Sequence, residues 1–393
     1  MKEHYDVAII GGGLIGSASA YFLANNADFK GRVVVLERDK TYRESASALS
    51  TSGFRQQFST PVNIALSGFS IDFIRNADQW LAVDGVSPGI KPNEAGYLNL
   101  GGADAVTAFT ANNQLQRSMG VDVVLLEPAE LRQRFPWLNV EDVAIGSLGL
   151  SGEGWMDAYL LLTAFRNKAR RLGANYLYEE VVGLAPEPNQ TYRLRLSSGT
   201  EISADHVVSA AGTRGPQIAS MLGIELPVAT IKQSVYMFES PFDCGKAPYI
   251  FTPDGLFFRR EGADYLCGLG IGATPPVVDL GDFAVDYSMF EEEVWPRLAH
   301  RVAGFEAARM KSSWAGHYDM SMFDHNPFIG GVDGHPRFYL ATGFSGHGMM
   351  QSPGVGCALS ELITYGDYRS LDLSDLAFSR LQSQPAAIEQ IQY

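Results

Sequence analysis

The feature that most constrains this chain is a run of glycines near the N-terminus, between two apolar segments. The run "GGGLIG" contains Gly11, Gly13 and Gly16 in the spacing GxGxxG. It follows "YDVAII", which has the length and composition of a buried strand, and leads into "LIGSASAYFLANN", which is typical of a helix. The first glycine permits a tight turn, the second lets a ligand approach the backbone, and the third lets helix pack on strand. The sequence therefore predicts a strand, loop and helix of nucleotide-binding type.

A carboxylate follows at the spacing that such a unit requires. Glu37 ends the apolar run "RVVVLE", 21 residues after Gly16, where an acid can bind ribose hydroxyls. The N–H groups at the start of the predicted helix favour a pyrophosphate. A GxGxxG alone is a weak signal, but strand, loop, helix, strand and acid in this order strongly favour dinucleotide binding. The pattern does not distinguish a flavin from a nicotinamide dinucleotide.

Composition narrows the class of protein further. The chain has 393 residues, enough for two domains, and its 46% hydrophobic and 19% charged residues are typical of a packed globular protein. A net charge of −14 argues against nucleic acid as a partner, because phosphate binding requires clustered Lys and Arg. Cys244, Cys267 and Cys357 have no metal-ligand spacing, so we expect buried, reduced thiols and no metal site.

The uncharged stretch 7–27 has a weak resemblance to a signal peptide. Glu3 and Asp6 precede it, no positive region does, and three glycines interrupt it. A nucleotide-binding strand and helix explain it better. We therefore expect no membrane span and a cytoplasmic protein.

Three further segments combine small or hydroxyl side chains with a predicted strand or helix. They are "RESASALSTSGFRQQFS", "ADHVVSAAGTRG" and "LATGFSGHGMMQSPGVG". The first offers hydroxyls to phosphates, and its Arg55 can meet an anion with two parallel hydrogen bonds; a cluster of N-cap residues before a helix is an equal alternative. The other two lead from a strand into small residues, which lets a ligand come close. The last also opens a helix whose first amides can face an electron-rich ring.

Taken together, these motifs resemble those of the FAD-dependent D-amino-acid oxidase (DAO) superfamily. The likeness is to the sarcosine oxidase β-subunit and glycine oxidase types and to related mitochondrial oxidoreductase-domain proteins. It spans nearly the whole chain in family order, through "DVAIIGGGLIG", "SASALSTSGFRQQFS", "GEGWMDAYLL", "VVSAAGTRG", "WAGHYDMSMFDHNPFIG" and "ATGFSGHGMMQSPGVGCALSEL".

The resemblance implies an α/β protein with a GR2-type, Rossmann-like FAD-binding domain. An α+β substrate domain built on a mixed sheet would be interleaved with it. The implied segments are 1–85, 140–225 and 315–375 for FAD, 86–139 and 226–314 for substrate, and 376–393 as a C-terminal tail.

The resemblance also implies which residues contact FAD. The N-terminal loop would hold the pyrophosphate, Glu37 the adenosine ribose, and the C-terminal loop the isoalloxazine. The implied cofactor residues are Gly11, Gly13, Leu14, Ile15, Gly16, Glu37, Arg38, Ser47, Ser50, Thr51, Ser52, Val181, Ala211, Gly212, Gly343, Phe344, Gly346, His347, Gly348, Met349 and Met350.

The chemistry implied by the resemblance is oxidation of a C–N bond by hydride transfer to flavin N5, giving an imine that hydrolyses. A neutral amine needs no strong acid or base, so few catalytic residues are expected. The candidates are Arg55 for an anion, then Tyr318, His347, Arg259 and Met350. Purely structural roles stay open as alternatives. His347 would be a loop histidine bonded to the backbone, Tyr318 a buried aromatic residue, and the methionines packing residues.

Three departures from the family pattern modify these expectations. Gly316 stands where monomeric sarcosine oxidases carry a flavin-linked cysteine, and "STSG" lacks the histidine of the "STxH" loop, so we expect non-covalent FAD. In the sarcosine oxidases, a lysine of the C-terminal loop binds the substrate carboxylate, and Met350 stands at that position here. The resemblance also implies a lysine in the substrate domain that activates oxygen. No lysine lies between Lys246 and Lys311 or after Lys311, which favours a dehydrogenase slightly over an oxidase.

The sequence is compatible with three functions. The first is an amino-acid or N-substituted amino-acid oxidoreductase that passes electrons to O2 or a redox partner, with a possible partner subunit. The second is a non-catalytic FAD-binding assembly or scaffold protein. The third is a hydroxy-acid dehydrogenase on the same fold.

Overall fold

The computed structural model describes residues 3–272, 275–382 and 388–390. Its strands, in chain order, are β1 (Glu3–Ile10), β2 (Val33–Leu36), β3 (Gly53–Phe54), β4 (Tyr97–Gly101), β5 (Val123–Leu126), β6 (Ile145–Gly149), β7 (Gly154–Trp155), β8 (Asn175–Leu177), β9 (Val181–Pro186), β10 (Tyr192–Leu196), β11 (Glu201–Ser209), β12 (Val228–Glu239), β13 (Tyr249–Phe251), β14 (Leu256–Glu261), β15 (Asp264–Leu269), β16 (Arg309–Ser321), β17 (Phe328–Val332) and β18 (His335–Thr342).

The α-helices of the described residues, again in chain order, are α1 (Leu14–Asn25), α2 (Pro61–Trp80), α3 (Val106–Ser118), α4 (Pro128–Arg134), α5 (Ala158–Arg171), α6 (Gly215–Ser220), α7 (Tyr287–Met289), α8 (Trp295–Arg301) and α9 (Gly348–Tyr365). A π-helical turn, Phe290–Val294, joins α7 to α8. Within the described ranges, no helix combines the length and the apolar character that a membrane crossing demands.

The first sheet has a parallel centre in the order β18-β11-β1-β2-β8. Strands β17, β10 and β9 extend it by antiparallel pairing. The run Val33–Leu36 is buried at every position, as expected for a parallel strand covered on both faces. Because the central strands are parallel, the loops that follow β1, β2, β11 and β18 all emerge at the same edge of the sheet.

The second sheet has the order β16-β12-β15-β14-β13-β4-β6-β5. All of its pairings are antiparallel except that of β13 with β4. Alternation along its strands separates two faces: Phe257 packs in a small aromatic cluster, whereas its neighbour Phe258 packs in the core on the opposite side. The second sheet is therefore mixed, as the sequence predicts for the substrate domain.

Helices from both ends of the chain meet on one face of the first sheet. α1 packs closely on α9, since a Cβ at Gly356 would lie 2.7 Å from the backbone carbon of Ala18. α5 packs on the other side of α1, and its N-cap Asp157 accepts a hydrogen bond from Leu160 N at 2.8 Å. This arrangement brings the loop before α1 and the loop before α9 side by side, although more than 300 residues separate them in the sequence.

The two sheets are interleaved along the chain, and the division into domains stays a prediction. Strands of the first sheet come from 3–36, 175–209 and 328–342, and those of the second from 97–149 and 228–321. The predicted FAD-binding segments 140–225 and 315–375 include β6 and the end of β16. In the structure both strands belong to the second sheet. The reason is pairing: β6 joins β4 and β5, and β16 pairs with β12 along nearly its whole length.

Candidate functional site

The loop between β1 and α1 lies at the edge where the parallel strands end. Gly11 has a φ of 101°, and a Cβ there would lie 2.3 Å from the carbonyl oxygen of Ala210. A Cβ at Gly16 would lie 1.9 Å from the carbonyl oxygen of Gly11. The first glycine thus permits the turn and the third permits close packing of helix on strand, as the fingerprint predicts.

The N-terminus of α1 is suited to an anion. Gly13 is its N-cap and supplies no side-chain cap, and the first turn carries no acidic residue. Leu14 N donates to Ser47 Oγ at 3.2 Å, which brings the serine-rich loop next to the helix. First-turn amides have no partner within a helix and concentrate positive charge, so they form a phosphate site.

Glu37 follows β2 directly and lies beside the same loop. Its Oε2 accepts from Gly12 N and its Oε1 from Asp39 N, each at 2.8 Å. Burial raises the pKa of this carboxyl, and the two backbone hydrogen bonds lower it. The carboxylate is thereby held at the end of β2, where a ribose would lie in a dinucleotide site.

A cavity of about 310 Å³ runs from these groups to the second sheet. Most of the residues that the sequence predicts for cofactor and substrate line it: Gly11, Gly13, Leu14, Ile15, Glu37, Arg38, Ser47, Ser50, Thr51, Arg55, Val181, Ala211, Gly212, Tyr318, Phe344, Gly346, His347, Gly348, Met349 and Met350. Four predicted residues are not among those that line it, namely Gly16, Ser52, Gly343 and Arg259.

Arg259 was expected at the site, and the structure places it behind the site instead. Its Nη2 donates to Thr51 O at 2.9 Å, and its Nη1 to Arg260 O at 3.0 Å and to Glu261. Its guanidinium also lies 5.1 Å from the ring of Trp155. Arg259 therefore supports the serine-rich loop from outside the cavity, because β14 directs it toward that loop.

The C-terminal glycine loop is held by a buried carboxylate that the sequence reading missed. Asp319 Oδ2 accepts from Gly343 N at 2.8 Å and from Phe344 N at 3.2 Å, and Asp319 O accepts from Ser345 N at 3.0 Å. Burial raises its pKa to about 6, against the lowering effect of those amides. Asp319 follows Tyr318 in β16, so only the strand pairing brings it to the loop.

The loop then opens α9, whose first turn also lacks acidic residues. Gly346 has a φ of 87°, and a Cβ there would lie 2.9 Å from the ring of Tyr318. Tyr318 and Met350 both line the cavity. The amides of the first turn of α9 thus form a second electropositive helix end facing the cavity.

Arg55 and His347 form a buried pair at this end of the cavity. Arg55 Nη2 lies 3.2 Å from His347 Nε2, and the guanidinium stacks 4.0 Å from the centre of the Phe58 ring. Burial, with the adjacent Arg55 charge, places the pKa of His347 well below its usual value. Because a guanidinium can only donate, Nε2 of the neutral imidazole accepts and Nδ1 carries the proton. Among residues 3–272, 275–382 and 388–390, that Nδ1 has no hydrogen-bond partner.

Glu153 anchors the segment that carries Arg55. Its Oε1 accepts from Gln56 N at 2.7 Å and Gln57 N at 2.9 Å, and its Oε2 from Gln57 Nε2 at 2.7 Å. Burial raises the pKa of this carboxyl to about 7, although those hydrogen bonds and Arg55 lower it. Glu153 lies in the "GEGW" motif, but nothing in the sequence shows which backbone it would bind.

We expect Glu153 to make the stability depend on pH. Its pKa of about 7 in the folded protein exceeds its ordinary value of 4.5, so the folded protein holds a proton that the unfolded chain releases. The free energy of unfolding should therefore fall by about 2 to 3 kcal/mol as pH rises from about 5 to about 7.5. Urea denaturation at both pH values should show a smaller fall in Glu153→Gln. Equal falls in the variant and the unaltered protein would contradict this assignment.

Residues of the second sheet that the sequence reading did not select complete the cavity. They are Tyr97, Gln233, Val235, Tyr249, Phe251 and Phe257. The available signal was the aromatic alternation of "AGYLNLG" and "PYIFTPDGLFF", but it is equally typical of any buried strand. The four aromatic residues meet through the pairing of β4, β13 and β14, and β15 joins β14 to the strand β12 that carries Gln233 and Val235.

The arrangement defines a two-sheet protein with one cavity lined by electropositive loops at the edge of the first sheet and by aromatic residues of the second. The sequence matches the family model "FAD dependent oxidoreductase", DAO, over residues 6–362. The chain therefore belongs to the DAO family of FAD-dependent oxidoreductases, as the resemblance indicated.

Individual relatives agree with this membership. The chain is 38% identical to the bovine (Bos taurus) FAD-dependent oxidoreductase domain-containing protein 1, over 96% of this chain and 85% of the relative. It is 26% identical to the glycine oxidase of Geobacillus kaustophilus, over 97% and 98% of the two chains. The solved L-proline dehydrogenase of P. horikoshii superimposes with a TM-score of 0.85 at 26% identity, covering 97% and 99% of the two chains. The predicted fold class is thereby confirmed.

The residues present fit the FAD that the family implies. Two electropositive helix ends face one cavity, as a pyrophosphate and the electron-rich edge of a flavin ring require. The unpaired Nδ1–H of His347 is a buried donor in the lining and would find an acceptor on a bound ligand. The residues of the N-terminal loop would hold the pyrophosphate and those of the C-terminal loop the ring.

Proposed function

We propose that this protein oxidises the C–N bond of an amino acid or N-substituted amino acid. The observation that carries the proposal is the position of Arg55, a buried guanidinium in the cavity lining whose Nη2 lies 3.2 Å from Nε2 of His347 in the C-terminal loop. Arginine binds carboxylates with two parallel hydrogen bonds. The relatives named above as a glycine oxidase and an L-proline dehydrogenase support the same class of substrate.

A bound FAD would supply the hydride acceptor for the substrate carbon. The imine product would be hydrolysed to a carbonyl compound and either ammonia, from a primary amine, or an amine, from an N-substituted one. Arg55 would orient the carboxylate, the C-terminal loop would orient the reacting carbon, and the aromatic face would exclude water from it. The electron acceptor would be O2 or a redox partner, and the predicted slight preference for a dehydrogenase stays a proposal.

The protonation of the site favours an amine over a hydroxy acid. Oxidation of an alcohol requires a base that removes the hydroxyl proton. His347 is a poor base here, because its pKa is low and its Nε2 faces Arg55. Asp319 Oδ2 is committed to the loop amides. A substrate amine that binds neutral needs neither group.

The scaffold alternative has less support. It predicts a site closed by Met349 and Met350, whereas both of these residues line the open cavity. The cytoplasmic location, the absence of a metal site and a possible partner subunit remain predictions.

The decisive experiment is an anaerobic titration of the FAD-loaded protein with L-, D- and N-alkyl amino acids and, in parallel, 2-hydroxy acids. We expect the visible flavin absorbance to be bleached by amino acids only. Re-admission of air then shows whether O2 is the acceptor. Bleaching by hydroxy acids alone would replace the proposal, and bleaching by neither class would favour the scaffold.

We also expect FAD to be bound non-covalently. Cys244, Cys267 and Cys357 are not among the residues that line the cavity, and Gly316 packs against Leu49. Precipitation with acid should leave the yellow colour in the supernatant. A yellow pellet would show a covalent bond and would point to a lining histidine.

A further inference from the structure

Four aromatic rings of the second sheet contact one another and form a continuous wall of the cavity. This wall consists of Tyr97, Tyr249, Phe251 and Phe257, all buried and all in the lining. The ring centres of Tyr249 and Phe251 are 4.7 Å apart, and those of Tyr97 and Phe251 are 5.3 Å apart with an interplanar angle of 14°. Rings that support one another at these distances hold a fixed apolar surface.

The wall lies close to the proposed carboxylate site. A Cβ at Gly53 would lie 1.8 Å from the Tyr97 hydroxyl and 3.2 Å from the Tyr249 ring. Gly53 begins β3, and Arg55 follows that strand directly. A ligand whose carboxylate binds Arg55 can therefore also contact the four-ring wall.

The cavity lining also contains a polar side chain, Gln233, whose Oε1 has no hydrogen-bond partner among the described residues. Gln233 Nε2 donates to Leu269 O at 2.6 Å and to Ser234 O at 3.1 Å. Both partners are carbonyls, which can only accept, so the amide orientation is determined, and Oε1 meets no donor within the described part of the chain. Leaving a buried acceptor unpaired is costly, which points to a donor supplied by a ligand.

The sheet register directs Gln233 toward the site. It lies opposite Gly316 in the pairing of β12 with β16, and Ile231 lies opposite Tyr318. Side chains of directly opposed residues point to the same face. Gln233, Gly316 and Tyr318 all line the cavity, so this face of β12 is the one turned to it.

We propose that the substrate is an amine that carries a flat apolar group and at least one N–H. The flat group packs on the four-ring wall, the N–H is donated to Gln233 Oε1, and the carboxylate is bound by Arg55. This inference rests on the proposed function and makes its substrate class specific. It distinguishes an aryl-substituted amino acid from glycine or sarcosine.

The wall is tested by two achiral substrates that differ by one phenyl group. In anaerobic bleaching, N-benzylglycine should show a kcat/KM about 10- to 100-fold above that of sarcosine. Phe257→Leu should reduce this ratio several-fold. Phe258→Leu, the neighbouring ring on the opposite face of β14, is the matched control and should leave the ratio unchanged. A ratio near one in the unaltered protein would overturn the inference while leaving C–N oxidation intact.

A binding measurement separates failure of the wall from failure of the chemistry. 3-Phenylpropionate, which has no amine, should shift the visible flavin absorbance with an affinity at least about tenfold above that of propionate. Such binding without bleaching by any amine would overturn the proposed function and support the wall. Equal affinities would overturn the wall.

Gln233 is tested with a substrate that lacks the N–H. The unaltered protein should prefer N-benzylglycine over N-benzyl-N-methylglycine by about tenfold, the worth of one hydrogen bond at a buried site. Gln233→Met has similar volume and no acceptor, so this preference should disappear. A preference that persists in Gln233→Met would show a steric origin and overturn the role of Gln233.

Discussion

Gly16→Ala is expected to eliminate the folded, FAD-loaded protein. Its Cβ would lie 1.9 Å from the carbonyl oxygen of Gly11, and both groups are held by the packing of α1 on β1. Relief requires the helix to move away from the sheet, at a cost of about 3 kcal/mol or more in the free energy of unfolding. Visible absorbance gives the flavin content, and thermal unfolding followed by circular dichroism gives the stability.

Gly13→Ala is the matched control for this substitution. Its Cβ would lie 3.6 Å from Ser47 Oγ, which is an ordinary contact. The apoprotein should therefore unfold at nearly the unaltered temperature, whereas FAD affinity should fall because a pyrophosphate approaches the loop at this glycine. A Gly16→Ala protein with full flavin and unchanged stability would contradict the loop geometry described here.

Removal of the Arg55 charge is the second change with a large expected effect. In Arg55→Met, kcat/KM for an amino acid should fall by roughly 100- to 1000-fold, because truncating a buried charge partner costs about 3 to 4 kcal/mol. Arg55→Lys keeps the charge but not the planar fork, so an intermediate loss is expected. Steady-state rates with an amino acid give both values.

The matched measurement uses the same variants with an amine that lacks a carboxylate, such as benzylamine. Its kcat/KM should change by less than about tenfold in Arg55→Met, since no ion pair is lost. A similar loss for both substrates would mean that Arg55 acts only by positioning His347 and Gln57, which it contacts.

Several parts of the site were predictable because their cause is local. The GxGxxG spacing, the carboxylate at the end of β2 and the small residues after β11 each follow from what a strand end beside a ligand requires. The C-terminal loop was predictable for the same reason, as a strand that runs into glycines and opens a helix. Family resemblance then related these separate loops to one cofactor.

Other parts depend on contacts between segments far apart in the chain. Asp319 acts through Gly343 and Phe344, and Glu153 through Gln57, yet each is an ordinary acid in the sequence. Arg259 is the opposite case. Its aromatic neighbours in "GLFFRREG" suggested a substrate-binding residue, whereas its hydrogen bond to Thr51 O shows that it supports the serine-rich loop.

By itself, the sequence predicted a dinucleotide-binding glycine loop, indicated the DAO family, and gave Arg55 as the candidate anion partner. Those conclusions depend on backbone requirements that a few consecutive residues express. Only the tertiary structure decided that the four-ring wall and the unpaired oxygen of Gln233 face the same cavity. The physical reason is that strand register sets which face of each strand is turned inward, and that register arises from pairing between distant segments.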